Sequence, residues 1–301
     1  NYNFYHPIWK FLSWSNRLSV NHSTLYAPRE FAEWSFGGGH NVKFRSFTSA
    51  YFNWSVRPTD AYDYFEARSF PQVFIRPAAV NANIGISTDY RKRLALDASL
   101  GHWESRERNQ SDWWGSFSPR FRVNDKLLIV NGNDYSINHH GIGFIGNIHD
   151  EEQNKKYIVF ADRELKTLTT TLSGAYIFNE RTGITLNMRH YWSRAENNWF
   201  YDLQKDGSIV RRTATLEEDL ARFHDINLNY FNIDLVYSWR FAPGSELRVV
   251  WKNAIQERNN TVTPLYFDNL SRTVQAPQNN NFSVKLLYFI DYIAIKNVLS
   301  A

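Results

Sequence analysis

The chain has no cysteine among its 301 residues. That excludes a disulfide-stapled secreted fold and any thiolate metal site, and a thiol-free chain suits the oxidising periplasm. No apolar run approaches the roughly 20 residues of a membrane helix, and mean hydropathy is −0.50, so a helical membrane protein is excluded. Charge is only mildly basic, with a net +4 and a pI of about 9.1. No dense Lys/Arg cluster accompanies it, so the balance describes a basic surface and not a nucleic-acid footprint. A phosphate loop is also missing: Gly37-Gly38-Gly39 lacks the Lys-Ser/Thr that would follow in a P-loop. The chain begins at Asn1 without Met or a signal peptide, and a mature or partial chain is expected.

Aromatic residues are abundant instead, at 17 % of the chain. Membrane barrels concentrate such rings in two interfacial girdles, which places that class first among all-β folds. The surrounding pattern alternates. Ile233, Leu235, Tyr237 and Trp239 alternate with Asp234, Val236, Ser238 and Arg240; Leu247, Val249 and Trp251 alternate with Arg248, Val250 and Lys252. Period two sets the two groups on opposite faces of a strand. Pro243 and Gly244 between the runs supply a tight reversal. Upstream, Ile226, Leu228 and Tyr230 have the opposite phase to Ile233 onwards, and this slip predicts a β-bulge near Tyr230 to Asn232.

Similar runs recur along the whole chain. Reversals near Gly38, Lys92, Asn124, Arg181 and Pro243 are short, while those near Pro58, Arg106, Glu151, Asp206 and Asn269 are longer and polar. Pro119 falls inside a strand and predicts a local irregularity. A capping box at Thr215-Leu216-Glu217-Glu218, with Leu216, Leu220 and Phe223 on one face, predicts a short loop helix. The fold class expected is all-β: a transmembrane antiparallel β-barrel of about 12 strands (12–14), with short periplasmic turns and long extracellular loops. Residues 1–10 are expected to be a lead-in or the end of an upstream region, 11–292 the outer-membrane barrel and 293–301 a C-terminal tail. An even strand count puts both termini in the periplasm.

A soluble sandwich also alternates. The runs here extend about 10 to 20 residues, longer than the usual soluble strand of about 5 to 6, and lipid-exposed strands must close into a barrel. Trp14, Trp54, Trp103, Trp113, Trp192, Trp239, Trp251, Tyr288 and Tyr292 near the ends of apolar runs are assigned to the aromatic girdle. The opposite face is assigned to the lumen: Arg17, Lys43, Arg45, Arg93, Asp97, Arg120, Arg122, Arg189, Asp234, Arg248, Lys252, Lys285 and Asp291. Such a lining makes either an anion-favouring pore or an interior filled by ion pairs, since long Arg side chains cross much of a narrow barrel.

The run Asn232-Ile-Asp-Leu-Val-Tyr-Ser-Trp-Arg-Phe-Ala-Pro-Gly-Ser-Glu246, followed by Val250-Trp-Lys-Asn253, resembles the C-terminal region of a Bacteroidota outer-membrane family of unknown function. Ser87-Thr-Asp-Tyr-Arg-Lys92 and Tyr288-Phe-Ile-Asp-Tyr292 are compatible with it. Members of that family carry an N-terminal carbohydrate-binding family-9-like domain ahead of a barrel. The resemblance covers this chain as the barrel portion, so it implies glycan binding for no residue here. Some members are labelled hydrolases, a label that no residues here support.

Chemistry-bearing clusters are sparse. His139 and His140 are neighbours on a strand, point to opposite faces and make a poor metal pair. The acidic tip His149-Asp-Glu-Glu152 is a solvated loop end more often than a cation site. His190 with Ser193, or His102 with Ser99, lacks any recognisable nucleophile signature. The expectation is therefore a non-enzymatic barrel, with no catalytic, cofactor or metal residues, acting as membrane anchor or subunit of a larger outer-membrane complex. Expected partners are outer-membrane lipid and lipopolysaccharide and other outer-membrane or periplasmic proteins, with no nucleic acid. The alternatives are a small-solute pore and, behind it, a barrel-embedded lipid or glycan hydrolase.

Overall fold

A computed structural model describes residues 2–4, 6–7, 9–150, 155–212, 225–261 and 265–290. The chain runs β1 (Tyr2–Phe4), β2 (Phe11–Thr24), β3 (Phe31–Phe44), β4 (Ser49–Arg57), β5 (Ala61–Asp63), β6 (Phe74–Arg76), β7 (Ala79–Ser87) and β8 (Leu94–Ser105). It continues through β9 (Gln110–Asn124), β10 (Leu127–Asp150), β11 (Lys155–Asn179), β12 (Thr182–Leu203), β13 (Ile209–Arg211), β14 (Ile226–Ala242), β15 (Ser245–Asn259), α1 (Tyr266–Gln275) and β16 (Gln278–Leu287). Among the described residues one 14-stranded sheet takes these strands as an antiparallel meander from β1 to β16, with β13 pairing only with β12, and β5 and β6 form a separate hairpin.

The meander follows from the alternation and the turns. Gly244 takes a φ of 71° between β14 and β15, which few residues other than glycine tolerate. Asn124 and Asn179 accept backbone N–H donors two residues on, closing the β9–β10 and β11–β12 turns. The β3–β4, β7–β8, β9–β10, β11–β12 and β14–β15 turns lie at one end of the sheet, the turn end. The connections holding β5–β6, β13 and α1 lie at the other, the loop end. β10, β11 and β12 have 24, 25 and 22 residues and project farthest toward the loop end.

The structure corrects several expectations. The sheet is not closed: among the described residues β1 pairs only with β2, and β16 only with β15. β1 and β16 both run toward the turn end, so they cannot be neighbours in an all-antiparallel ladder. Gly37 to Gly39 is not a turn but the middle of β3. Its glycines make room for neighbouring side chains: a Cβ on Gly38 would meet Trp54 Nε1 at 2.5 Å. The β14 register runs unbroken from Ile226 to Trp239, so no bulge occurs near Tyr230. At Pro119 the β9–β10 pairs lapse and resume in the same register, while β8 pairs through it. The last strand stops at Leu287, short of Tyr288. The residues of the expected loop helix at 215–223 lie outside the described residues, whereas α1 falls in a stretch expected to be loop.

The β7–β8 turn shows how the turn end is tied. Arg91 donates to the Asp89 carboxylate (Nη2 to Oδ2, 2.7 Å) and stacks over Phe47 of the adjacent β3–β4 turn at 3.7 Å. The Arg91 side-chain hydrogen bond, reinforced by the Arg91 backbone N–H, holds the Asp89 pKa down to about 2. A lowered carboxyl pKa contributes stability above its unfolded value of about 3.9 and loses it as pH falls toward the folded value. In Arg91→Gln the Asp89 carboxyl is expected to titrate back toward the ordinary range, which an NMR carboxyl titration reads directly.

Candidate functional site

Directly opposed residues share a face, so the register defines two continuous surfaces. One is apolar. Phe52, Ile84 and Leu100 lie in one row across β4, β7 and β8. Leu186, Leu235, Trp251 and Phe282 form another across β12, β14, β15 and β16. These side chains cover no protein core: Ile84 is 57 % exposed, Leu100 53 % and Phe282 72 %. The belt has a limited height. It runs from Phe231 to Trp239 in β14 and from Trp113 to Phe121 in β9, matching the about 9–11 residues with which a tilted strand crosses a bilayer. Beyond it on the same face, toward the loop end, stand His139, Glu164, Lys166, Arg194 and Glu196.

The other face is polar. Arg17, Lys43, Asp97, Arg120, Arg122, Arg189, Asp234, Arg248, Lys252 and Lys285 all fall on it. Arg45 and Arg93 sit in turns, and Asp291 lies outside the described residues. Several are paired: Lys252 with Asp234 at 3.5 Å, Arg248 with Glu246, and Asp97 with the Tyr90 hydroxyl at 2.6 Å. Between them the face is lined by small polar residues such as Ser15, Asn53, Asn83 and Ser116. Gly101 on this face accommodates the Trp114 ring, which a Cβ would strike. Gly101→Val is expected to cost about 1–3 kcal/mol through overpacking. Equilibrium unfolding should show most of that cost gone in a Trp114→Ala background.

Of the rings assigned to girdles, Trp14, Trp54, Trp113, Trp239 and Trp251 stand on the apolar face. Trp251 sits opposite Leu235 in mid-belt and donates Nε1 to Asn280 Oδ1 at 3.0 Å. Trp192 is on that side too, but buried beneath α1. Tyr288 is exposed past the end of β16, and Tyr292 lies outside the described residues. Trp103 is a correction. It pairs with Asn81 and Asp112, in phase with Asp97, and so belongs to the polar face. Its ring type suits a girdle, but its position three residues after the apolar-face Leu100 sets it on the opposite face.

Two loop-end structures lie outside the strand pattern of the sequence. The β5–β6 connection leans over the polar face, where Phe74 and Arg76 line a cleft with Trp103, Asp112 and Asn138. It is fastened to β10 and β11: Phe74 stacks on Phe160 at 4.7 Å, Glu66 accepts the Phe144 N–H, and Arg68 lies over the Phe144 ring. Both Phe160 and Phe74 are buried. Their sequence signal was two aromatic positions in segments without clean alternation.

The second is α1, which packs on the apolar-face side of β14 and β15 just past the belt. Asn269 and Asn229 exchange a reciprocal amide pair at 2.5 and 3.2 Å. Asn227 donates to Asn269 Oδ1 at 3.3 Å and accepts from Trp192 Nε1 at 2.7 Å. His190 meets the Tyr266 hydroxyl through Nδ1 at 3.1 Å and Asn229 Oδ1 through Nε2 at 3.4 Å. The apolar-face positions of upper β14 are thus polar because a polar helix face covers them, and this produced the phase slip read as a bulge.

The reactive-residue pairs are not brought together. His190 and Ser193 face opposite sides of β12, and Ser193 Oγ bonds Thr167 Oγ1 at 3.1 Å. His102 stacks on Trp113 at 4.0 Å, while Ser99 on the other face bonds Ser116 at 2.6 Å. His139 and His140 meet separate carboxylates, Glu164 and Asp162. Among the described residues no group of three or more His, Asp or Glu has metal-binding geometry.

Fold and surfaces define an all-β, antiparallel, two-faced sheet. The chain belongs to a family described as a domain of unknown function (DUF5916), which matches residues 1–299. It is also similar to a solved siderophore receptor, PiuA from Acinetobacter baumannii, with 10 % identity and a TM-score of 0.43 over 93 % of this chain. The chain spans 46 % of that receptor's length. No curated protein matches it.

Proposed function

We propose that the chain forms the wall of an outer-membrane β-barrel and serves as a non-enzymatic membrane anchor or subunit of a larger outer-membrane assembly. The observation that carries this is the apolar belt: about one bilayer crossing high, it runs on one face from β2 to β16, broken by the hydrogen-bonded groups Asn16–His40 and Asn131–Asn133–Thr170, with the charged residues of the strands gathered on the opposite face. The turn end, where β2 begins and β16 ends, is placed in the periplasm, and the loop end outside the cell. Lipid tolerates no free strand edge. Since β1 and β16 run the same way, closure takes an odd number of further strands between them. Electron microscopy of the full-length protein is expected to show an even strand total; direct β16–β1 pairing would overturn this closure.

The β5–β6 cap over the polar face favours an anchor over an open channel. Planar-bilayer recordings of the full-length protein are therefore expected to show no steady conductance. The small polar lining of β2 to β9 is the observation on the side of a solute pore, and a reproducible conductance step would establish that reading instead. Lipid or glycan turnover abolished by His190→Ala or His102→Ala would overturn the non-enzymatic assignment.

A further inference from the structure

Helix α1 is inverted relative to a helix that faces water. Such a helix buries its apolar stripe and shows its polar side. In α1 the buried residues are Asn269 and Thr273, while Phe267 is 79 % exposed. Leu270 and Val274 follow Phe267 at i+3 and i+7, and so extend one apolar stripe along the helix. A third face carries Asp268, Ser271, Arg272 and Gln275. The polar face is matched to the wall by the amides of Asn227 and Asn229, and Thr273 Oγ1 returns to the Asn269 carbonyl at 2.9 Å. Along the stripe Phe267 and Val274 are exposed, and Leu270 between them is half-buried.

We propose that α1 is a lipid-embedded clamp. It lies against the outside of the barrel at the outer rim of the belt, with Phe267, Leu270 and Val274 among the acyl chains of the outer leaflet. Asp268 and Arg272 then lie at headgroup level. This inference rests on the barrel reading above. Its position selects lipid over a protein partner: α1 is bonded to Asn229, the next belt-face residue after Phe231, and Phe231 with Ile255 is the last apolar pair of the belt in β14 and β15, so the stripe continues the belt surface. Its internal chemistry agrees. Hydrocarbon cannot satisfy an amide, so polar side chains there turn inward and bond one another. An amphipathic helix with a charged edge is the form that lies in the plane of an interface.

These 301 residues contain no cysteine of their own to compete for the label. Spin labels are placed on single cysteines at Phe267, Val274 and Asp268 of the full-length protein in lipid vesicles, with Leu235 and Val236 as references for the two faces. Collision with oxygen, which partitions into lipid, is compared with collision with a water-soluble nickel chelate. The clamp predicts that positions 267 and 274 match 235 in favouring oxygen, while 268 favours nickel. If 235 is in lipid but 267 and 274 are in water, or are shielded from both reagents, the clamp is overturned and the barrel stands. If 235 is itself in water, the barrel reading fails and the clamp with it.

Discussion

On the barrel proposed above, Leu235→Arg is expected to destabilise the protein in lipid by about 2–4 kcal/mol, the cost of a guanidinium near the bilayer midplane. Leu235 is the middle residue of the β14 belt, flanked across the sheet by Leu186 and Trp251. Neither neighbour offers a carboxylate, and the side chain is too far from either rim to reach water cheaply. The next residue supplies the control. Val236 faces the polar side between Thr185 and Val250, and Val236→Arg is expected to stay within about 0.5 kcal/mol of the parent. Equilibrium denaturation from lipid vesicles reads both. Equal costs at the two positions would mean that the faces are not distinguished by their surroundings.

The second large effect lies under α1. Asn269→Leu removes both halves of the reciprocal pair with Asn229, leaving a buried amide unpaired at a cost of about 1–3 kcal/mol. The helix is expected to detach, seen as faster hydrogen exchange through 265–275. The double variant Asn229→Leu with Asn269→Leu should recover part of the loss, because it removes both members of the reciprocal pair together and gives up beyond it only the longer contacts of Asn227 and His190, at 3.3 and 3.4 Å. A helix held by apolar packing alone would show no such recovery.

The sequence was most legible where one environment governs a whole strand. In β14 and β15 below Phe231 the period-two alternation, the Pro243-Gly244 turn and the face of each side chain follow from the residues alone. It misled where a second layer intervenes. Asn227 and Asn229 are apolar-face residues that look out of phase, because their neighbour is the polar side of α1. Gly37 to Gly39 look like a turn because glycine triplets usually are one; only the position of Trp54 on the adjacent strand explains them as a strand. Trp103 shows the opposite failure, in which residue type was weighted over phase. α1 carried its own signal, the stripe of Phe267, Leu270 and Val274, hidden inside a segment whose Asn and Thr content suggested loop.

In the proposed barrel one face of this sheet meets lipid and the other meets water, and β14 tests that division most directly. A fluorophore is attached to single cysteines placed in turn from Ile233 to Trp239 in the full-length protein, reconstituted with lipids whose acyl chains carry bromine. Strong quenching at 233, 235, 237 and 239, with little at 234, 236 and 238, is the predicted result. Uniformly weak quenching, with the odd positions open to aqueous iodide, would contradict it.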